Sequence, residues 1–175
     1  GITVFGEVPP GQALLRSGAR AGDALWISHP MQGGIGDARL ALEVFRGQVA
    51  LDAAAFEAVR ARMELPTPRN ALGVALRGIA SSAIDVSDGL LGDLRHVLKR
   101  SGVGAAVQAD ALPMSAVLAA QPLALQRLCT LAGGDDYELL FTATPAQASA
   151  VQAAAAATGV AVSRIGIITA EPGCR

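Results

Sequence analysis

Two short segments concentrate the chemistry that this chain could perform. Of its fifteen acidic residues, five fall in Asp85-Val86-Ser87-Asp88-Gly89 and Gly133-Gly134-Asp135-Asp136-Tyr137-Glu138. In the first segment Asp85 and Ser87 stand two apart at the end of an apolar run, which on a strand places them on one side. Asp88 and Gly89 stand where an amphipathic helix begins. Three oxygen-bearing side chains therefore meet at a strand's carboxyl end, where open α/β sheets bind ligands. Hard carboxylate and hydroxyl oxygens suit Mg²⁺ carried on a nucleotide's phosphates, and the helix N-terminus offers N–H donors to an anion. In the blander alternative Asp88 caps the helix and Ser87 completes the turn. That alternative does not account for Asp85, because a carboxylate between Ile84 and Val86 on a covered strand is costly unless paired or bound to a cation.

In the second segment Gly133 and Gly134 allow positive φ and close backbone approach. They place Asp135, Asp136 and Glu138 at the mouth of a strand that turns apolar from Leu139. Asp135 and Asp136 are equally compatible with solvated turn residues, whereas Glu138 lies inside the strand start. Three further candidates carry less. His29 has no cysteine, serine or second histidine at useful spacing, and His96 falls on the polar side of a helix. The glycines of residues 33–36 lack the lysine and Ser/Thr of a P-loop. Arg16 suits a phosphate contact or a solvated linker charge.

The elements that must position these residues follow from periodicity and punctuation. Residues 2–5 and 24–28 read as strands, with the turn-rich stretch between them a connection from an earlier domain. Asp37 is placed to cap a helix over 37–45 and Asp52 a second one, and a third runs over 70–80. From residue 82 strands and helices alternate: strand 82–86, helix 89–101, strand 104–109, helix 115–131, strand 137–144, an alanine-rich helix over 146–158 and strand 160–169. Leu90, Leu91, Leu94, Val97 and Leu98 form one stripe and Gly102 supplies the stop. The pattern defines a layered α/β domain, a mixed sheet flanked by helices, over 24–175, with 1–23 as the end of a preceding domain and its linker. The ends read as cut from something longer, with 171–175 a turn toward a further element.

Composition excludes several classes. Half the residues are apolar and the net charge is −1, which fits a globular fold and gives no basic surface for nucleic acid. No apolar run reaches the ~18 residues of a membrane span. Cys129 and Cys174 match no metal or disulfide spacing, so both read as free thiols of a cytoplasmic protein.

Ser82 through Leu90, followed about fifty residues later by Gly133 through Leu139, resembles the C-terminal half of the thiamine-monophosphate kinases, as do Gly6 to Gly11, Ala13 to Ala19 and Gly22-Asp23. The resemblance runs essentially end to end. It implies the fold of the C-terminal domain of aminoimidazole ribonucleotide synthetase and an ATP- and Mg²⁺-dependent phosphorylation of thiamine monophosphate to thiamine diphosphate. It also implies Asp85 and Asp88 as magnesium ligands, Ser87 and Arg16 as ATP contacts and Glu138 as a substrate contact, with Asp135, Asp136, Gly133 and Gly134 in support. The family's N-terminal domain, which carries further magnesium loops and the homodimer interface, is absent here, so the chain is expected to be inactive alone. The loop over 29–36 is longer than the family's glycine turn. Another ATP-using member of the superfamily, or a non-catalytic regulatory or assembly domain, is the competing reading.

Overall fold

The computed structural model describes residue 3 and residues 5–175. The strand expected over 2–5 rests on Ile2 and Val4, which lie outside the described residues. Six strands form one sheet: β1 (Ala24–His29), β2 (Ser82–Val86), β3 (Gly104–Val107), β4 (Glu138–Ala143), β5 (Ala161–Thr169) and β6 (Gly173–Cys174). Their order is β2-β4-β1-β5-β3-β6. Every pairing is antiparallel except β3 with β6. The sheet is mixed, as expected.

β1 is central and buried on both faces, which is why its run Ala24-Leu25-Trp26-Ile27 is continuously apolar. Leu25 and Ile27 point to one face, with Ile84, Val86, Leu140 and Ile165, against helix α4 (Leu90–Ser101). The stripe Leu90, Leu94, Val97 and Leu98 is buried there, each side chain contributing about 1.5–3 kcal/mol. Ala24, Trp26 and Phe141 point to the other face, covered by Leu72 and Leu76 around α3 (Asn70–Ala75) and by Val151, Ala154 and Ala155 of α7 (Ala148–Thr158). A third cluster joins α1 (Asp37–Phe45), α2 (Ala53–Glu64), α5 (Ala116–Ala119) and α6 (Leu123–Ala132) through Leu40, Val59, Leu118 and Cys129. Burial pushes the Cys129 thiol up to about 12, so it is an inert core residue.

Departures from the expected elements have local causes. The helix expected over 115–131 is two helices, because Pro122 at φ −54° lacks the N–H that would continue the first. Helix α3 ends at Ala75, and Gly78 at φ +74° turns the chain into β2. Strand β3 stops at Val107, where residues 109–111 form a 3-10 turn held by Arg127. Asp52 caps α2 by accepting from the Ala55 N–H, as expected. Asp37 does not cap α1. The cap position is Gly36 at φ +90°, and the Asp37 carboxylate accepts from Ser115 Oγ at 2.6 Å.

The segment expected to be a linker is largely exposed and touches the domain at a few points. Ala19 and Leu14 join the two sheet-face cores, and the Ala83 N–H donates to Leu15 O at 2.8 Å. The final residues add a short parallel strand beside β3, with Arg175 N–H donating to Ala105 O. Among the described residues no helix is long and apolar enough to cross a membrane.

Candidate functional site

The antiparallel pairing of β2 with β4 brings the two acidic segments together. Its register sets Val86 opposite Glu138 and Asp85 opposite Leu139, so the end of β2 lies beside the start of β4. The rule for parallel sheets that suggested the location does not apply to this topology; the meeting of two antiparallel strand ends replaces it. Two backbone bonds tie the segments further, from Asp135 N–H to Ser87 O at 2.9 Å and from Tyr137 N–H to Val86 O at 2.8 Å.

The glycines act by close approach and not by positive φ. A Cβ on Gly134 would lie 2.4 Å from Ser87 O, and one on Gly133 would lie 2.2 Å from Cys129 O. The positive φ values belong instead to Asp135 at 66° and Tyr137 at 51°, conformations uncommon for residues with side chains. The strain falls on the two exposed side chains of this segment, Asp135 and Tyr137.

Asp85 and Asp88 are exposed, Ser87 is half-buried, and none of the three side chains has a protein partner among the described residues. The strand is largely covered, as expected, but Asp85 is its one exposed residue, so the carboxylate escapes the cost of burial. β2 is the edge strand, and the carboxylate faces open space at its end. Asp88 is not the helix cap either. Gly89 holds the cap position at φ +111°, and the backbone N–H groups of Ser87 and Asp88 both donate to Asp93 Oδ2 at 3.0 Å. Two amides that precede the helix are thus taken by a carboxylate of the chain itself, whereas no side chain caps the N–H groups of the first turn of α4. At α1 the N–H of the cap residue Gly36 likewise donates to a carboxylate, reaching both oxygens of Asp136 at 2.8 and 3.1 Å.

Glu138 faces inward and is fully buried. Arg69 donates to it in a fork, Nε to Oε2 at 2.7 Å and Nη2 to Oε1 at 2.6 Å. Arg62 Nη2 reaches Oε1 at 2.9 Å and Ser28 Oγ reaches Oε2 at 2.6 Å. Two guanidinium groups and a hydroxyl saturate this carboxylate. The free acid of the second segment is Asp135, whose Oδ1 receives the Tyr137 hydroxyl at 3.3 Å. The negative charge of Asp135, then partial desolvation and the Asp135 hydrogen bond, then Asp85 and Asp88, all raise the Tyr137 phenol above its ordinary value. Asp85, Asp88 and Asp135 thus act on one hydroxyl from both segments.

Tyr137 and Asp85 also line a largely apolar groove of about 740 Å³, with Leu14, Pro68, Val74 and Leu139 among its walls. Arg16 is not brought to this site. Its carbonyl accepts from Ser101 Oγ at 3.4 Å, at the far end of α4 from Asp88. His29 is engaged elsewhere, with Pro30 O and Ser163 Oγ.

Asp136 is 2 % exposed, and burial pushes its carboxyl up to about 7, outweighing the Gly36 N–H and Arg62. Burial also raises Asp37 nearby. Such an acid holds its proton more readily folded than unfolded. Its contribution to stability is full below the ordinary value of 3.8 and is lost as pH rises through about 7. Denaturant titrations between about pH 4 and about pH 8 should show stability declining over that window, and Asp136→Asn should flatten the slope. A wild-type slope of opposite sign that Asp136→Asn leaves unchanged would contradict this assignment.

Among the described residues no group of three or more His, Cys, Asp or Glu side chains is placed to hold a metal ion. Two exposed carboxylates and a hydroxyl at a sheet end do fit Mg²⁺, which is held through one or two carboxylates plus phosphates and water. Sequence reasoning missed Asp93, Tyr137, Arg62 and Arg69. Asp93 had a signal, since it interrupts the buried face of α4 between Leu90 and Leu94.

A mixed sheet flanked by helices, with exposed acids at one sheet end, defines a layered α/β domain. Residues 20–175 match the family described as AIR synthase related protein, C-terminal domain, and the chain belongs to that family. It is 40% identical over 173 residues to a thiamine-monophosphate kinase of Salmonella typhimurium, covering 97% of this chain and 52% of the relative. The crystal structure of the thiamine-monophosphate kinase from Stenotrophomonas maltophilia K279a aligns over 96% of this chain and 54% of its own, with a TM-score of 0.87 and 42% identity. A structure described as AaThiL complexed with AMPPCP and TMP aligns over 93% of this chain and 50% of its own, with a TM-score of 0.74 and 27% identity. The chain spans about half the length of the relatives it matches.

Proposed function

We propose that this chain is one side of a thiamine-monophosphate kinase site, the side that meets the metal-bound phosphates of ATP. The observation that carries the reading is the convergence of Asp85, Ser87, Asp88 and Asp135, all without a strong protein partner, at the shared end of β2 and β4. The relatives supply the reaction class, and the AaThiL complex with AMPPCP and TMP supports a nucleotide and a phosphate acceptor in one site.

In this reading a phosphate oxygen of thiamine monophosphate attacks the γ-phosphorus of ATP, the new P–O bond forms as the bond to ADP breaks, and ADP leaves. A phosphate acceptor is largely ionised near neutrality, its second pKa being about 6, so no general base is required. Positioning and charge neutralisation then carry catalysis. Mg²⁺, when bound, offsets the negative charge gathered on the phosphates. Asp85 and Asp88 would hold it on this domain, and Ser87 Oγ would donate to a phosphate oxygen. Asp135 replaces Glu138 as the carboxylate facing the substrate, because Glu138 is saturated by Arg62, Arg69 and Ser28. The whole enzyme is read as a cytoplasmic homodimer whose other half completes the metal and nucleotide contacts.

Two carboxylates cannot by themselves hold a multi-metal phosphate arrangement. Incubated with ATP, Mg²⁺ and thiamine monophosphate, the 175-residue chain should therefore form thiamine diphosphate at least ~1,000-fold more slowly than a full-length relative. Turnover near that of the full-length enzyme would overturn the split-site reading.

A further inference from the structure

Asp93 belongs to neither acidic segment. It lies in the first turn of α4 on the core-facing side and is 4 % exposed. A buried carboxylate is costly unless its hydrogen bonds are met, and here one oxygen, Oδ2, accepts both the Ser87 and the Asp88 N–H at 3.0 Å. Those two amides precede α4 in a turn whose Ser87 carbonyl is held from the other side by Asp135 N–H at 2.9 Å. The turn is therefore clamped through its backbone on both sides, which leaves the side chains of Asp85, Ser87 and Asp88 free.

We propose that Asp93 is a positioning residue that holds this turn so that Asp85, Ser87 and Asp88 converge on a divalent cation and the phosphate it carries. The inference rests on the metal-facing reading of the site. It predicts that acceptor geometry at position 93 matters more than charge. Asp93→Asn keeps an oxygen where Oδ2 stands and removes the charge. Asp93→Glu keeps the charge and displaces the acceptor by one methylene.

The test uses the 175-residue chain and Mn²⁺ as the probe, with free Mn²⁺ read by electron paramagnetic resonance and amide exchange at Ser87 and Asp88 read by NMR. Asp93→Asn should bind Mn²⁺ within about threefold of wild type, while Asp93→Glu and Asp93→Ala should bind at least about tenfold more weakly, the effect typical of losing a group that orients a ligand. Exchange at the two amides should accelerate at least about tenfold in the same two variants and stay close to wild type in Asp93→Asn. If Asp93→Ala fails to fold, the contrast between Asn and Glu decides. Glu retaining affinity while Asn loses it would overturn the proposal in favour of a charge effect on the helix terminus, and so would wild-type affinity in all variants. A wild-type chain that takes up no Mn²⁺ would overturn the metal reading and, with it, a positioning role toward a cation. Fast exchange confined to the displaced-acceptor variants would then mark Asp93 as a structural tie alone.

Discussion

Replacing Asp85 and Asp88 together by asparagine should lower Mg²⁺-dependent binding of an ATP analogue by at least about 100-fold while leaving the melting temperature of the chain within a few degrees of wild type. The two halves of this expectation have separate causes. Both carboxylates are exposed and have no protein partner among the described residues, so the folded state loses no internal contact when they are neutralised. Surface changes of that kind lie within about ±0.5 kcal/mol each. Binding, by contrast, loses the two anionic ligands that this domain offers a cation, and an amide oxygen is a poor substitute for hard Mg²⁺. Isothermal titration with AMPPCP and Mg²⁺, paired with thermal melts of the same variants, checks both halves. Unchanged affinity would remove Asp85 and Asp88 from the site, and a large fall in melting temperature would show them to be structural.

Glu138→Ala should do the opposite. Its carboxylate is fully buried and receives Arg69 in a fork, Arg62 and Ser28. Removing one side of a buried ion pair leaves guanidinium charge uncompensated and costs about 3–5 kcal/mol. For a chain of this size that lowers the melting temperature by roughly 10 °C. The cluster joins α2, the start of α3 and the start of β4, so local opening should begin there. Measured at a temperature where the variant is folded, affinity for Mg²⁺ with AMPPCP should stay within about threefold of wild type. A stable variant with abolished binding would return Glu138 to the substrate-facing role that Asp135 holds here.

The contrast between Asp85 and Glu138 shows what the sequence could and could not convey. Each is an acid within a strand-like run, Asp85 between Ile84 and Val86, Glu138 before Leu139 and Leu140. The physical argument that a covered carboxylate must be paired was sound, yet it applies to Glu138. The strand order places β2 at the edge and β4 between β2 and β1, and that order is a tertiary fact with no local signature. The two arginines that neutralise Glu138 come from residues 62 and 69, and no spacing rule joins them to it. Elements with strong local signals were legible: β2 over Ser82–Val86, α4 with its leucine stripe and Gly102 stop, and the Asp52 cap. The helix expected over 115–131 followed apolar periodicity across Pro122, which divides it in two. The glycines of the second segment were legible as special positions. Of the two roles expected, close backbone approach holds and positive φ does not, the crowding on Gly134 coming from the sequence-distant Ser87 and that on Gly133 from Cys129 one helical turn earlier.

The site's chemistry was legible in the same partial way. Clustering of five acids in two segments identified where the charge gathers, and the pairing of β2 with β4 explains how the segments meet. The ties from Asp93 to the Ser87 and Asp88 amides and from Asp136 to the Gly36 amide were not legible. With the Ser87 and Asp88 amides occupied, the proposed route for a phosphate is through a cation on the carboxylates, together with the Ser87 hydroxyl, and not through the amides of that turn.

That conclusion is tested most directly by titrating AMPPCP into the wild-type chain twice, once with Mg²⁺ in excess and once with EDTA. The account predicts binding heat with Mg²⁺ and at least ~100-fold weaker binding in EDTA, since a phosphate meeting bare carboxylates is repelled. Equal affinity in the two titrations would contradict it, because the phosphate would then be held by backbone or cationic side chains, and so would the absence of binding with Mg²⁺.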